Sequence, residues 1–290
     1  MELFLSTLLN GLSVGGTYAM IALGYTMVYG IAKMLNFAHG DVIMIGGYVI
    51  YVFMATNNPL LAILMATICC VLLGVTIEKI AYKPLRGASP LAVLITAIGV
   101  SYLLQSLAQI VFGSAPKMVT VFDFGNIALF GVNVQVSTLV TLAVTVVVML
   151  ALTLFVKFTR LGRAMIAVSE DRGAAQLMGI NVNGIITVTF AIGSALAALA
   201  GLFFLMKAPQ VSNTMGAMPG IKAFTAAVIG GIGSIPGAML GGILLGFVEA
   251  ISYKFTAIAP YTDAIEFAIL IVILLVRPTG FLGKKRREKV

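Results

Sequence analysis

The residues that could carry out catalysis or bind a metal are few and scattered. His39 is the single histidine of the chain, and Asp41 is the nearest acidic side chain along it. Two such residues are too few for a metal site, and no second candidate base completes a Ser-His-Asp arrangement. The sequence also lacks a paired-cysteine motif and a phosphate-cradling P-loop. It therefore predicts no catalytic residue, no bound cofactor and no metal site, and the protein is expected not to be an enzyme.

Composition predicts that the chain lies in a membrane. Of its 290 residues, 60% are hydrophobic and 10% are charged, whereas soluble domains have roughly 45–50% and about 25%. The mean hydropathy is +1.10. One soluble core of this size does not bury so much apolar surface, which excludes a soluble enzyme, a nucleic-acid binder and a disulfide-stapled module. The two cysteines, Cys69 and Cys70, are adjacent and are not expected to pair.

Hydropathy divides the chain into nine apolar runs, separated by turn and charge signals such as Asn57-Asn58-Pro59. Because a helical span needs about 20 residues, we predict an all-α, polytopic integral membrane bundle with about eight or nine transmembrane segments. Segments 31–47 and 222–235 are interrupted by glycine or polar residues. They are either pore-lining re-entrant elements or short loops. The runs cover residues 7–31, 42–56, 60–80, 92–112, 137–156, 185–206, 222–235, 238–256 and 262–276.

The distribution of lysine and arginine predicts the orientation. The densest basic cluster, 284–289, is expected in the cytoplasm. Counting spans backward from it also places 157–184, 79–90 and 33–41 on the cytoplasmic side, and the N-terminus outside. Four basic residues then lie outside: Lys117, Lys207, Lys222 and Lys254.

Small residues recur at helical spacing, which allows neighbouring helices to approach closely. Similar stripes occur in residues 11–16 and 191–201. The longest series, which we predict to be a packing stripe on one helix face, consists of Gly233, Gly237, Gly241, Gly242 and Gly246.

Segment 157–184 is the longest polar stretch on the predicted cytoplasmic side. Ser169 is expected to cap a short helix with an acidic first turn, and Gly179 to take the left-handed position that ends it. Ala174 and Ala175 leave one face flat. The segment is therefore either a surface helix that enters a groove on another protein or a plain amphipathic connector.

Several stretches resemble the membrane permeases of branched-chain amino acid ABC importers, the LivH-like family. Residues 35–41, Leu-Asn-Phe-Ala-His-Gly-Asp, are similar to that family's early Asn-Phe-Ala-His-Gly motif, and 222–238 are similar to its glycine-rich signature. Residues 163–180 resemble the loop that docks onto the ATPase subunits, and 277–280 resemble the closing motif. These matches occur in order across nearly the whole chain.

The resemblance implies a single permease domain over residues 1–290, with a cytoplasmic coupling loop at about 157–184 and a basic cytoplasmic tail at 277–290. Such permeases are half-transporters of the bacterial inner membrane. They work with a second related permease, two ATP-binding subunits and an extracytoplasmic substrate-binding protein. ATP is then bound by the partners, so the chain itself needs no cofactor, and no nucleic acid is involved.

The resemblance also implies roles for individual residues. In many importers the coupling loop reads Glu-Ala-Ala with Gly after three residues. Here three residues separate the glutamate from the alanine pair, although the spacing from that pair to the glycine holds. The residues assigned to the coupling loop are Arg163, Glu170, Ala174, Ala175 and Gly179.

Polar side chains within the bundle are expected to have a function, since ionisable groups are costly in a membrane. The residues expected in the translocation path or its gate are Asn36, His39 and Asp41. Glu249 and Glu266 lie inside apolar runs and are expected to face the interior. For Glu249 we expect a structural ion pair with Lys222 or Lys254.

Two alternative functions stay open on the sequence. The first keeps the ABC permease but changes its cargo to urea, short amides or another small solute. The second is a self-sufficient secondary carrier or channel, in which Glu249 or Glu266 would couple transport to a proton or an ion.

Overall fold

The structure, a computed structural model, describes residues 2–122, 124–129 and 132–283. Within these residues the chain is almost entirely helical. The helices are α1 (Glu2–Ala32), α2 (His39–Met54), α3 (Pro59–Ile77), α4 (Pro90–Phe112), α5 (Val136–Phe158), α6 (Arg160–Glu170), α7 (Arg172–Leu177), α8 (Val182–Lys207), α9 (Ala217–Gly230), α10 (Ile235–Lys254) and α11 (Thr262–Val276). The basic cluster 284–289 lies outside the described residues.

Short irregular elements complete the fold. A π-helical segment, Glu78–Tyr82, and a 3-10 turn, Lys83–Leu85, continue α3, and a second 3-10 turn, Ala259–Tyr261, precedes α11. The strands form two antiparallel pairs, β1 (Lys117–Met118) with β4 (Gln210–Val211), and β2 (Asn126–Leu129) with β3 (Val132–Gln135).

Seven helical stretches of the described chain are long and apolar enough to cross a membrane. The prediction of a polytopic helical membrane protein is confirmed. The interrupted segment 31–47 runs from the end of α1 through a linker into α2, and segment 222–235 covers most of α9 and the turn that follows it. Both helices are short, α2 with 16 residues and α9 with 14. At a rise of 1.5 Å per residue they extend about 24 Å and about 21 Å, less than the roughly 30 Å hydrocarbon core. The seven stretches are Ser6–Ala32, Pro59–Leu85, Pro90–Phe112, Val136–Phe158, Val182–Lys207, Ile235–Lys254 and Ala259–Val276.

Proline and a polar cap set where two of these spans begin. The Asn58 side chain accepts the Leu61 N–H at 3.2 Å immediately before Pro59. The Ser89 hydroxyl accepts the N–H of Ala92 at 3.3 Å before the proline that opens α4. Proline suits the first helical position because its missing N–H would have no partner there. The break predicted at Asn57-Asn58-Pro59 is confirmed.

The described chain divides into two compact units. The first unit comprises residues within 1–26, 124–150 and 222–290, and the second comprises residues within 27–123 and 151–221.

In the first unit, α1 and α10 meet through glycine. A Cβ on Gly15 would lie 2.7 Å from the Cα of Ile243, so only hydrogen fits. Side chains on Gly242 and Gly246 would collide with the backbones of Ala19 and Gly15. These contacts hold the two helix axes close together, as small residues do in membrane bundles.

The predicted glycine stripe begins later than expected. Gly233 lies before α10, in a turn where its φ is +93°, so it is not a member of the helical stripe. Gly237 and Gly241 are in the helix, and they face α9. A Cβ on Gly237 would lie 3.0 Å from the carbonyl carbon of Gly230, and one on Gly241 would lie 2.9 Å from that of Ala226.

In the second unit, α2, α3 and α8 form the core. A Cβ on Gly46 would lie 3.0 Å from the Cys70 sulfur, and one on Gly74 would lie 2.7 Å from the Cβ of Ser194. The Cys70 thiol is fully buried and donates a hydrogen bond to the Val42 carbonyl at 3.4 Å. The glycines therefore let the three helices pack so closely that a larger side chain at these positions would not fit.

Candidate functional site

Segment 157–184 forms two short helices that leave α5 at a sharp corner. The Thr159 hydroxyl caps α6 by accepting the Gly162 N–H at 2.9 Å. A side chain on Gly162 would collide with the backbone of Phe155 and Val156, so this corner requires glycine. The buried face of α6 consists of Gly162, Met165 and Val168.

Helix α7 is capped at both ends. The residue that caps its start is Asp171, whose carboxylate accepts the Ala174 N–H at 3.0 Å. The prediction that Ser169 caps this helix is wrong, because Ser169 lies within α6 and donates to the Ile166 carbonyl instead.

The end of α7 is a Schellman motif. Gly179 has a φ of +80°, the left-handed conformation that was expected for it. Its N–H binds the Gln176 carbonyl, and the Ile180 N–H binds the Ala175 carbonyl, both at 3.0 Å. A six-residue helix with both ends capped presents a defined surface.

The predicted coupling residues divide into two groups. Arg163, Glu170, Ala174 and Gly179 are exposed, whereas Ala175 is buried and packs inward. The exposed face of α7, which was predicted to be flat because of both alanines, therefore contains Ala174 but not Ala175.

Sequence reasoning missed the two most prominent side chains of this segment. Leu177 and Met178 are 90% and 83% exposed at the tip of α7. Adjacent large apolar side chains in the longest polar stretch were the available signal. Exposed apolar side chains on a rigid, capped element are typical of a site that another protein covers.

An arginine fixes α7 to the rest of the second unit. The Arg172 guanidinium donates a hydrogen bond to the Ala32 carbonyl at the end of α1. Burial, together with the positive charge of Arg86, lowers the pKa of Arg172 from its ordinary value. These contacts hold α7 in place beside the ends of membrane-spanning helices.

A buried carboxylate organises the neighbouring residues. Glu78 is fully buried and accepts hydrogen bonds from Arg86 and, at 2.8 Å, from the Thr187 hydroxyl. Arg86 also donates to the Asn183 side chain in the first turn of α8. The network joins the cytoplasmic end expected for α3 to the start of α8, which follows segment α6–α7 directly. The sequence analysis predicted no functional role for any of these four residues.

Asn36, His39 and Asp41 all lie in the second unit and are at most 6% exposed. The Asn36 side-chain oxygen accepts a hydrogen bond from the Tyr82 hydroxyl at 3.0 Å. The Asp41 carboxylate accepts one from the Gln105 amide at 2.9 Å. The structure thus places all three near the start of α2, where Asn36 and Asp41 fasten this region to the π-helical segment and to α4.

The glycine of the same motif has a steric role. A side chain on Gly40 would collide with the carbonyl group of Gly216, and one on Gly216 would collide with that of Gly40. The start of α2 therefore lies directly against the turn that leads into α9.

Lys222 is the centre of a charged cluster in the first unit. Its ammonium nitrogen lies 3.1 Å from Glu249, 2.8 Å from Asp263 and 3.3 Å from Glu266. Tyr18 donates its hydroxyl to Glu249 at 2.6 Å. Of the two partners expected for Glu249, the structure shows Lys222. Sequence reasoning missed Asp263, although its spacing of three residues from Glu266 puts both on one helix face.

No group of three or more His, Cys, Asp or Glu side chains in the described ranges is arranged to hold a metal ion. Hydrogen bonds and ion pairs connect the packed helices with one another. Helices α6 and α7 form a separate, exposed pair. The exposed pair of short helices offers a surface that another protein can bind.

Comparison with known proteins identifies relatives along the whole chain. Residues 7–274 match the family described as "Branched-chain amino acid transport system / permease component". The chain is 45% identical to the high-affinity branched-chain amino acid transport system permease protein BraD of Pseudomonas aeruginosa, with 99% of this chain and 98% of that protein covered. It is 43% identical to the corresponding LivH protein of Escherichia coli K12, with the same coverage.

A more distant relative carries a different name. The ribose import permease protein RbsC of Haemophilus influenzae is 25% identical, with 96% of this chain and 86% of that protein covered. No solved structure matches the chain.

Proposed function

Because this chain belongs to the family of branched-chain amino acid transport permease components, we propose that it is the permease subunit of an ABC importer for leucine, isoleucine and valine. The observation that carries the proposal is the similarity of 43–45% over the full length of proteins named for that transport. The sugar permease is much less similar, at 25%. Branched-chain amino acids are therefore the cargo that the relatives favour, and urea and short amides are distinguished by the uptake test below.

The protein is an integral membrane protein, and we place it in the bacterial inner membrane with its C-terminus in the cytoplasm. The asymmetry of lysine and arginine supports this orientation. It puts segment 157–184 on the cytoplasmic side, where ATP is available.

Segment 157–184 serves, in this proposal, as the coupling loop. The support is its rigidity, from caps at both ends of α7, and the exposure of Leu177 and Met178. Two ATP-binding subunits would cover these side chains on this chain and on a second, related permease. The chain itself binds no ATP and catalyses no reaction.

Coupling follows from how the segment is attached. Asn181 caps α8 by accepting the Gly184 N–H at 3.0 Å, only two residues after Gly179. A displacement of α7 by the ATP-binding subunits would therefore reach α8, which packs on α2 and α3 without intervening space. Such a tightly packed group of helices moves as a body between discrete arrangements, and binding of ATP biases the choice between them.

Asn36, His39 and Asp41 act in this scheme as part of a gate. Hydrogen bonds hold the start of α2 to its neighbours, from Asn36 to Tyr82 and from Asp41 to Gln105. Such bonds contribute modest net stability, about 0.5–3 kcal/mol each, and can exchange when α2 moves. Substrate selection is left mainly to an extracytoplasmic binding protein.

The test is purification of the tagged chain in mild detergent, with identification of the proteins that accompany it, followed by uptake of radiolabelled leucine into proteoliposomes. We expect a second permease and two ATP-binding subunits, and leucine uptake that requires ATP and the binding protein. Transport by the chain alone without ATP would refute the proposal and support a self-sufficient carrier. ATP-dependent uptake of urea but not of leucine would refute the assignment of the cargo.

A further inference from the structure

The charged cluster around Lys222 contains more acidic than basic groups. In the part of the chain that the structure describes, Glu249, Asp263 and Glu266 each form an ion pair with Lys222 and with no other cation. If all four groups are ionised, one positive charge faces three negative ones. The side chain of Asp263 is 49% exposed, so water screens its charge. Glu249 and Glu266 lie among the packed helices and share a single compensating charge.

Glu266 is the less well accommodated of the two buried acids. Its side chain is fully buried, and neither of its carboxyl oxygens has a hydrogen-bond partner among the described residues. Oε2 lies 3.3 Å from the Lys222 nitrogen, which is the longest of the three contacts of that ammonium group. Burying an ionised carboxylate without hydrogen bonds is so costly that such a group takes up a proton instead.

Glu249 is better placed to keep its negative charge. Its Oε2 accepts hydrogen bonds from the Tyr18 hydroxyl at 2.6 Å and from the Lys222 ammonium group at 3.1 Å. The other titratable groups close to the cluster in the described helices are Asp263 of α11 and Tyr253 of α10, which lies near Tyr18. Neither of these two groups adds a positive charge. A proton added to the cluster therefore belongs on Glu266.

We propose that Glu266 is a proton-binding site that is occupied at pH 7, and that its protonated carboxyl group donates a hydrogen bond to Glu249. Both side chains contact the same Lys222 nitrogen, at 3.1 Å and 3.3 Å, so their carboxyl groups are neighbours. Two carboxylates cannot hydrogen-bond to each other, whereas a carboxylic acid and a carboxylate can. The proton gives Glu266 the partner that it lacks and makes the three buried groups neutral in total.

The proton stabilises contacts among four helices of the first unit. Tyr18 belongs to α1, Lys222 to α9, Glu249 to α10 and Glu266 to α11. The neutral cluster therefore joins all four. Loss of the proton places two like charges side by side between α10 and α11, and like charges at such a distance weaken the contact between the helices that hold them.

Asp263 gives the cluster contact with water. This half-exposed residue lies three positions before Glu266, on the same face of α11. In the orientation proposed above, this end of α11 is on the extracytoplasmic side, so Glu266 exchanges its proton with the solution on that side. The choice of side rests on the proposed function. Protonation itself depends on neither the cargo nor ATP, and it requires no flow of protons across the membrane.

The test compares two variants that each lose one carboxyl group. Glu266→Gln is neutral and similar in shape to a protonated glutamate, so it is expected to fold and to insert normally. Asp263→Asn is the matched control, because it removes a carboxyl group from the same helix and the same cluster. The side chain of Asp263 is half exposed, so the control leaves the buried proton site in place.

The full-length chain is purified in mild detergent with any subunits that accompany it. Infrared spectroscopy at pH 7 detects the C=O stretching band of a protonated carboxyl group, and unfolding in a weakly buffered solution gives the number of protons released. An unfolded glutamate is ionised at this pH, so the original chain and Asp263→Asn should each release about one proton more than Glu266→Gln. A protonated-carboxyl band that is present in the first two proteins should be missing from Glu266→Gln.

Three outcomes would overturn the proposal. Equal proton release and equal infrared bands in the three proteins would mean that Glu266 is ionised. Misfolding of Glu266→Gln, while Asp263→Asn folds, would mean that the site requires the negative charge. Extra proton release that occurs in choline chloride but not in sodium chloride would identify a metal-cation site instead. Because these readouts involve no transport, their failure is distinguishable from a failure of the leucine-uptake test.

Discussion

Truncation of the α7 tip tests how the chain is coupled to its partners. Leu177 and Met178 are 90% and 83% exposed in the isolated chain, so their burial takes place only when another protein covers them. Complete burial of a leucine or methionine side chain stabilises by about 1.5–3 kcal/mol. Since alanine retains only the Cβ, we expect each substitution by alanine to weaken docking by about 1–2 kcal/mol, about 5- to 30-fold.

The double variant Leu177→Ala/Met178→Ala should therefore lose about 100-fold in affinity for the ATP-binding subunits. Its thermal stability should change by less than about 0.5 kcal/mol, because neither side chain contributes to the packed interior. The affinity is measured by titrating purified ATP-binding subunits onto the chain in nanodiscs, and coupling is measured as leucine uptake per ATP hydrolysed.

Met118→Ala is the matched control. Met118 is also a highly exposed methionine, 72% exposed, but it lies in β1, which the proposed orientation puts on the opposite side of the membrane from α7. Its truncation should leave the affinity unchanged. Unchanged affinity in the α7 variant as well, or an equal loss in both variants, would refute the reasoning that these apolar side chains form the docking contact.

Three further predictions concern other parts of the chain. Arg163→Glu or Ala174→Trp should abolish ATP-driven leucine uptake while membrane insertion, followed by fractionation, stays normal; normal uptake would contradict the coupling role. Lys222→Met should destabilise the protein by about 3–5 kcal/mol, since it leaves the buried side chains of Glu249 and Glu266 without their cation, and an unchanged denaturation midpoint would contradict the ion-pair cluster. Gly246→Leu should cost more than about 3 kcal/mol by overpacking, whereas Gly99→Leu, which meets open space, should be near neutral in the same unfolding assay.

Local signals were sufficient for much of the fold. Long apolar runs and the polar-proline pair at Asn58-Pro59 predicted where spans begin, because both depend on residues adjacent in sequence. Gly179 was predicted for the same reason, since the end of a short helix needs a left-handed residue within one turn. Gly233 was misassigned because regular spacing alone does not show where the helix begins.

The side-chain networks were less accessible to sequence reasoning. Tyr18 and Glu249 are 231 positions apart, and Glu78 is 109 positions from Thr187. Neither a hydropathy pattern nor helical spacing relates residues at such separations, because the contact arises only when distant helices pack. The pair Lys222–Glu249 could be proposed because a carboxylate in an apolar run needs a cation and few cations were available.

The close contact between Gly46 of α2 and Cys70 of α3 provides a chemical probe of whether these two helices separate. The Cys70 thiol is fully buried against Gly46, whereas Cys69 beside it is partly exposed. A membrane-permeant maleimide reaches Cys70 only when α2 and α3 separate. In a Cys69→Ala variant, the rate of alkylation therefore measures how often these helices separate. The rate of Cys70 alkylation can be compared before and after addition of ATP, of the ATP-binding subunits or of a substrate-loaded binding protein. The addition that raises the rate identifies the step of the transport cycle in which α2 and α3 separate.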